Sequence, residues 1–473
     1  MKRGWTVRMT TLLTALFVQT STADIFQMIE AGIDRPACDS ALLSGSLKYV
    51  ATNGNDATGD GTLQNPYRTV FHAVEEAQSG DTVVIRGGTY VENGEIRVRI
   101  PNVSIRSYPG EWAVLDRTSG DAENWESGIY LDVDSDNARV ECLEIIGGFD
   151  GIATETRWEW GDPNDRGGPE NIRIENASIH GAYAEGVKVK PQSNNFTISH
   201  CEIYNTGVGQ DPNDCNAEGI DNVNADRMHV THTYIHNTCS TGVYCKGGSQ
   251  DCLIEYSLIE DTGEGGILLG FDTSPDYFDT ENNPDYYEAI RPVARYNLVR
   301  GAKGAGIGLF ASKDARVAYN TVIDSSTRYH APLHFGIVTQ DWDENAGRPD
   351  NSNPTIEHNI FAQLTVQSAW GAMVYIRHND DLGGLDGLSG PATLKKNCYY
   401  DSHAAAIFFD GREEWGSQEY LFPAWQQHIN SDFTSVETDP QFDGNYKPQS
   451  PLCRDNGYLA RPASIVPILF LLN

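Results

Sequence analysis

A short motif recurs through the middle of the chain and limits its fold more than any other feature. It reads apolar, two residues, small or amide, one residue, apolar. Copies begin at Val140, Ile174, Ile198, Val230, Ile254, Ala294, Val317, Ile356 and Leu394. Their fourth residues form a column: Leu143, Ala177, Cys201, Thr233, Ser257, Asn297, Asn320, Asn359 and Asn397. The shortest intervals are 23 and 24 residues, and the longer ones carry loops of varied length. Three short strands and three turns need about this length, so each copy reads as one coil of a solenoid.

Most copies are followed by a Gly-apolar step: Gly186-Val187, Gly219-Ile220, Gly242-Val243, Gly266-Ile267, Gly306-Ile307 and Gly336-Ile337. Equal positions in successive coils then stack at the spacing of paired strands, about 4.8 Å, and bury a narrow continuous core. The expected fold is all-β, a parallel β-helix. The four successive asparagines predict an inward amide ladder, and Asn suits the left-handed backbone of such a turn. A β-sandwich would show hairpin turns at regular spacing, and few are present. Val70 to Ala77 has helical spacing and ends at Ser79-Gly80-Asp81. A helix there would cap the open end of the stack.

The repeat body spans residues 49–457. Ahead of it lie an expected export signal, 1–23, and an extension, 24–48. The signal reading rests on basic Lys2, Arg3 and Arg8, the apolar run Met9 to Val18, and the small residues Ser21-Thr22-Ala23. The expected location is therefore secreted or periplasmic. The tail 458–473 is apolar but too short to span a bilayer, and no internal segment reaches the roughly 18 apolar residues a span needs. It either packs on the body or forms part of a C-terminal sorting signal. A monomer is expected.

The chain of 473 residues carries 66 acidic and 34 basic side chains, a net charge of −32. Such a field disfavours nucleic acid and anionic membranes as partners. An anionic substrate needs a local basic patch or a bound cation. The nine cysteines show no zinc-type spacing. Cys215 and Cys239, one minimal coil apart in corresponding turns, are expected to pair.

Side chains alternate in and out along a strand. Two residues after each glycine, the outward column reads Lys188, Asp221, Tyr244, Leu268, Gly308 and Val338. Four residues after it reads Lys190, Val223, Lys246, Gly270, Phe310 and Gln340, and Tyr375 and Arg377 continue both columns. Lys188, Lys190, Asp221, Tyr244 and Lys246 therefore fall on one outer face. Lys188, Lys190 and Arg377 are candidate substrate-binding cations, Lys246 a candidate base and Tyr244 a candidate proton donor. Glu218, Asp221 and Asp226, with Asp211 and Asp214 in the same loop, offer the hard oxygen ligands Ca²⁺ prefers.

The opening segment from Tyr49, the coils and the closing segment with Asp439-Pro440 together resemble secreted right-handed parallel β-helix proteins. That group includes polysaccharide lyases, C5-epimerases and glycosidases. Lys246, Ser249 and the motif at Ile254 resemble the lysine segment of the chondroitinase B and alginate lyase family, where the lysine is the base. The resemblance implies a polysaccharide substrate and β-elimination beside a uronate carboxylate. The family's arginine one coil later is absent; Leu269-Gly270 stands there. Its acidic metal ligands are likewise replaced, by Ser240 and Thr241. Glycoside hydrolysis, C5 epimerisation and non-catalytic glycan binding remain open on the same scaffold.

Overall fold

The computed structural model describes residues 31–460, apart from 93–94, 119–124, 159–164, 339–346, 381–383 and 413–417. The expected signal segment and the tail beyond residue 460 lie outside these.

Strands stack into three sheets of 12 strands each, parallel from coil to coil except that Gln418–Leu421, at the end of the second sheet, runs antiparallel to its neighbour. The repeated motif supplies the first and third sheets. Arg173–Glu175 and Ser178–His180, for example, make one strand of each, joined at a sharp turn. The Gly-apolar steps supply the second sheet, with Val187–Val189, Ile220–Val223, Val243–Lys246, Ile267–Leu269 and Ile307–Phe310 side by side. Val187, Ile220, Val243 and Ile267 point inward and are fully buried in one continuous core. Each contributes about 1.5–3 kcal/mol by leaving water. The glycine before each strand is a packing requirement. A Cβ on Gly219 would stand 2.5 Å from Ile235 Cγ2 and 2.6 Å from the Gly242 carbonyl oxygen.

The asparagine ladder forms. The Asn320 Oδ1 accepts from the Asn297 backbone N–H and Nδ2, both at 3.0 Å, and Asn359 and Asn397 repeat the pattern. All four are fully buried. The left-handed residue of the turn is not the asparagine but the residue before it. His200, His232, Tyr256, Tyr296, Tyr319 and His358 hold φ between 48° and 57°. Their rings stack coil on coil at 4.5–5.3 Å, which offsets the cost of that backbone. Asn359→Ala should strand the Asn320 N–H in the core, while the Asn320 Nδ2 keeps the Ala294 and Ala318 carbonyls. A loss of at least about 2 kcal/mol is expected, read as a lower denaturation midpoint.

Both ends are capped. The helix Val70–Glu75 starts at Thr69, whose side chain accepts from the His72 N–H, and buries Val70, Ala73 and Val74. At the far end Phe422–His428 buries Trp425 against Phe408, a helix the sequence did not signal. Four disulfides, Cys38–Cys142, Cys215–Cys239, Cys245–Cys252 and Cys398–Cys453, tie turns and termini to the coils. The second is the expected staple between neighbouring coils. Tyr458 is buried, and its N–H donates to the Thr321 hydroxyl, so the start of the tail packs on the body.

One column is displaced from expectation. In the second sheet His334, not Val338, pairs between Gly308 and Tyr375. The strand is Leu333–Gly336, so Gly336 ends it instead of preceding it. Val338 joins a small apolar cluster with Tyr244, Leu268 and Phe310, and Gln340 lies outside the described residues.

Candidate functional site

The strand register places Lys188 beside Asp221 and Asp221 beside Tyr244, with Lys246 two residues further along its strand. The Lys188 ammonium donates to Glu185 Oε1 at 2.6 Å and also to Asp221 Oδ2. Lys246 Nζ lies 3.4 Å from Asp221 Oδ1 and 4.4 Å from the centre of the Tyr244 ring. Asp221 is thus held between two ammonium groups. Burial would push its carboxyl up, but the two lysines hold it below the usual range. Burial likewise opposes charge on Lys188, and Asp221 with Glu185 overcomes it, so the ammonium is held well up.

Behind these lies a stack of carboxylates. Glu185, Glu218 and Asp221 are all buried, with oxygens within 4.8 Å of one another. Glu218 Oε1 accepts from the Ser240 hydroxyl at 2.9 Å, while Glu218 Oε2 is buried without a hydrogen-bond donor and Asp221 Oδ1 meets only the Lys246 ammonium at 3.4 Å. Burial, then the neighbouring Asp221 charge, pushes the Glu218 carboxyl up to about 8. Asp150, one coil earlier, is pushed up by burial and then by Glu185. Crowded carboxylates with open oxygens are the donor set of a hard divalent cation.

The charges face a groove. Lys188, Lys190, Asn216 and Tyr277 line both a cleft of about 810 Å³ and a smaller one of about 180 Å³ that reaches Lys246 and Asp272. Trp125, Phe149 and Tyr183, from successive coils, wall the larger cleft with ring centres 4.4 and 5.6 Å apart. Lys190 pairs with Glu155 at 3.4 Å.

A family model described as a Pel9A-like right-handed β-helix region matches residues 48–241, and a second, for a right-handed β-helix region, matches 164–326. The chain is a right-handed parallel β-helix protein.

Among curated proteins, this β-helix is 24% identical to pectate lyase PEL9 of Emericella nidulans over 267 residues, 54% of this chain and 52% of that one. It is 32% identical to the uncharacterised protein YwoF of Bacillus subtilis over 105 residues, 22% of each. The matches thus span about half and about a fifth of these relatives. Among solved structures, a rhamnogalacturonan lyase aligns with TM-score 0.52 at 14% identity, covering 75% of this chain and 87% of that one. The mannuronan C-5 epimerase AlgE4 A-module of Azotobacter vinelandii aligns with TM-score 0.50 at 13% identity, covering 78% and 94%. At such identities the structures show the shared fold. No helix among the described residues is long and apolar enough to cross a membrane.

The structure separates some of the expected site residues. Asp226 stands apart from the carboxylate stack: the chain turns at Asn224, φ 53°, and Asp226 Oδ1 accepts from the Gln250 N–H at 2.9 Å. Asp211 and Asp214 are exposed, and Asp211 accepts from the Asn213 N–H of its own turn. Tyr244 is only 2% exposed, stacked under Phe271 at 5.1 Å, and lines neither cleft of the groove. Burial, then Glu218, pushes its phenol well up. Its ring lies under the Lys246 ammonium, 4.4 Å from Nζ. Arg377 lies beyond Tyr375 in a separate cleft.

Glu185, Asp150 and the aromatic wall were not expected. The first two had a sequence signal. The residues just before the strand glycines read Asp150, Glu185, Glu218 and Thr241, a column one step from those used. Trp125, Phe149 and Tyr183 lie at no fixed offset from the repeat.

The long insert after Gly270 is pinned at one point. The fully buried Glu288 accepts from the Gly247 N–H at 2.8 Å and from the Thr273 N–H and hydroxyl at 3.0 and 2.7 Å. It joins the insert to the turn that follows Lys246. Glu288→Ala leaves two buried N–H groups unpaired, and should speed proteolysis within 271–288 and lower the melting temperature by several degrees.

Proposed function

We propose that the protein is a polysaccharide lyase that cleaves a uronate polymer of the polygalacturonate type by β-elimination, with Lys246 as the base. The observation that carries this is Lys246 at the groove beside Asp221, with Lys188 and Lys190 along the same wall. The match to a Pel9A-like region and the likeness to a pectate lyase support the substrate class. An aromatic wall suits the apolar faces of sugar rings, and the lysines suit their carboxylates.

In the reaction the Lys246 ammonium first gives up a proton to solvent, and the amine then takes the C5 proton. The electron pair forms the C4–C5 double bond, and the C4–O bond breaks. The departing oxygen takes a proton from water, and the hydroxide left behind takes the proton that Lys246 gained. The cost lies in the charge that builds beside the C5 carboxylate, and preorganised cations lower it. Lys188 is held charged and aimed by Glu185 and Asp221. Lys190, on the same wall, orients the chain.

Glu185, Glu218 and Asp221 are the residues that would hold Ca²⁺, because their oxygens lie within 4.8 Å of one another and Glu218 Oε2 is buried without a donor. When bound, the ion supplies positive charge toward the substrate carboxylate. Lys188 shares two of these carboxylates, so ion and ammonium divide their charge. The protein's expected place is outside the cytoplasm, where such polymers occur.

The test is incubation with polygalacturonate, alginate and chondroitin, with and without chelator, following absorbance of the unsaturated uronate. Growth of that band on polygalacturonate supports the reading. New reducing ends without the band would replace it with hydrolysis.

A further inference from the structure

A second cleft, of about 420 Å³, opens on the same sheet face further along the stack. Trp370, Arg377, Glu264 and His330 line it, with Phe271, Phe310 and Asp272 on the side toward Lys246. Asp272 also lines the small cleft at Lys246, so the two openings meet there. The register from Tyr244 through Leu268, Gly308 and His334 to Tyr375 is four coil steps, roughly 19 Å at the spacing of paired strands.

Three features set this cleft apart from ordinary packing. Trp370 is 40% exposed although His330, His334 and Tyr375 hold its ring at 4.9–5.5 Å. An indole both fixed and open is a platform rather than a core residue. Arg377 is half-buried, and no carboxylate of the described residues lies within salt-bridge reach of it. A guanidinium with no carboxylate partner among the described residues is unusual on a chain of net charge −32, where acidic side chains abound. Finally, Gly308 interrupts a column that elsewhere carries side chains. A Cβ there would come within 2.6 Å of Leu268 and 2.8 Å of Phe310, so these two side chains close over it and form an apolar floor to the cleft. Burial, then Arg377, holds His330 down to about 4, so Arg377 carries the cleft's positive charge at neutral pH.

We infer that this cleft is a distal glycan subsite that takes a uronate of the same polymer, its carboxylate on Arg377 and its ring face on Trp370. Glu264 accepts a sugar hydroxyl. The guanidinium is matched to a carboxylate in a way an ammonium is not. A polymer seated at the lysine groove and continuing past Asp272, which lines both openings, reaches it, and this part rests on reading that groove as a uronate site. The protein then grips a stretch several sugars long and favours long chains over short ones. Avidity of this kind needs no new contact at the reacting bond.

The test is calorimetric binding in a Lys246→Ala background, so that turnover does not consume the ligand. Octagalacturonate, trigalacturonate and a neutral galactan octamer are the probes. The octagalacturonate is expected to bind more tightly than the trimer. Trp370→Ala and Arg377→Ala should each weaken it about tenfold and erase the length preference, while Trp370→Phe restores most of it. Thermal melts report whether each variant is folded. Unchanged octamer affinity in both alanine variants overturns the inference. So does equal binding of the neutral octamer, or no binding of octagalacturonate by the parent. Binding that depends on Trp370 and Arg377 in a protein that never forms unsaturated ends would sink the lyase reading and leave this one standing.

Discussion

Lys246→Ala is expected to lower formation of unsaturated uronate from polygalacturonate by about 10³-fold, within the range for loss of a general base. The protein should stay folded. Lys246 points outward from its strand, and Asp221 keeps its bond to Lys188 when the second ammonium is removed. Lys246→Arg sharpens the result. It keeps the positive charge beside Asp221 and the contact with the Tyr244 ring, but guanidinium does not lose its proton near neutral pH. If Lys246 acts as a base, the arginine variant falls as far as the alanine variant. If it serves only as a cation for the substrate, the arginine variant keeps most of the rate. Tyr244→Phe should cost much less, because it keeps the ring under Lys246 and Tyr244 is buried and lines neither cleft of the groove.

The second large effect concerns the carboxylate stack. Without a divalent cation, burial and the Asp221 charge push the Glu218 carboxyl up to about 8. Its ordinary value is 4.5. Between those two values the folded state keeps a proton that the unfolded chain has already lost. Folding therefore binds protons in that window, and stability falls as pH rises from about 4.5 through about 8. Glu218→Gln removes the ionisation and should flatten that slope. Ca²⁺ binding at pH 7 must displace the same proton, so uptake should release it and strengthen as pH rises toward 8. Calorimetry in buffers of different ionisation enthalpy measures the released proton directly. Chelator should abolish turnover, and the loss should be reversed by Ca²⁺ in the wild type and not in Asp221→Asn. Cation binding with no proton release would place the ion elsewhere.

The coil was legible because the fold repeats. One column of small and amide residues fixed the first and third sheets, and the glycines fixed the second, since neighbouring coils lie too close there for a Cβ. The outward placing of Lys188, Asp221 and Lys246 followed from alternation alone. The period failed wherever a loop carried the residue. Gly336 ends its strand, so His334 took the position expected of Val338. Asp226 lies past a turn and accepts from the Gln250 N–H instead of joining Glu218. Tyr244 falls in the right column, yet Phe271 from the long insert covers it. No repeat rule places an insert. Glu185 and Asp150 were readable in principle, one residue before their glycines. The aromatic wall was not, because Trp125, Phe149 and Tyr183 come from turns of unequal length.

The central claim is that the groove breaks its polymer by elimination. The most direct measurement is the mass of the fragments formed from a single purified octagalacturonate. The account predicts pairs of fragments whose masses sum to that of the substrate, one of each pair carrying the C4–C5 double bond, and none from Lys246→Ala. Pairs that sum to the substrate plus one water would contradict it.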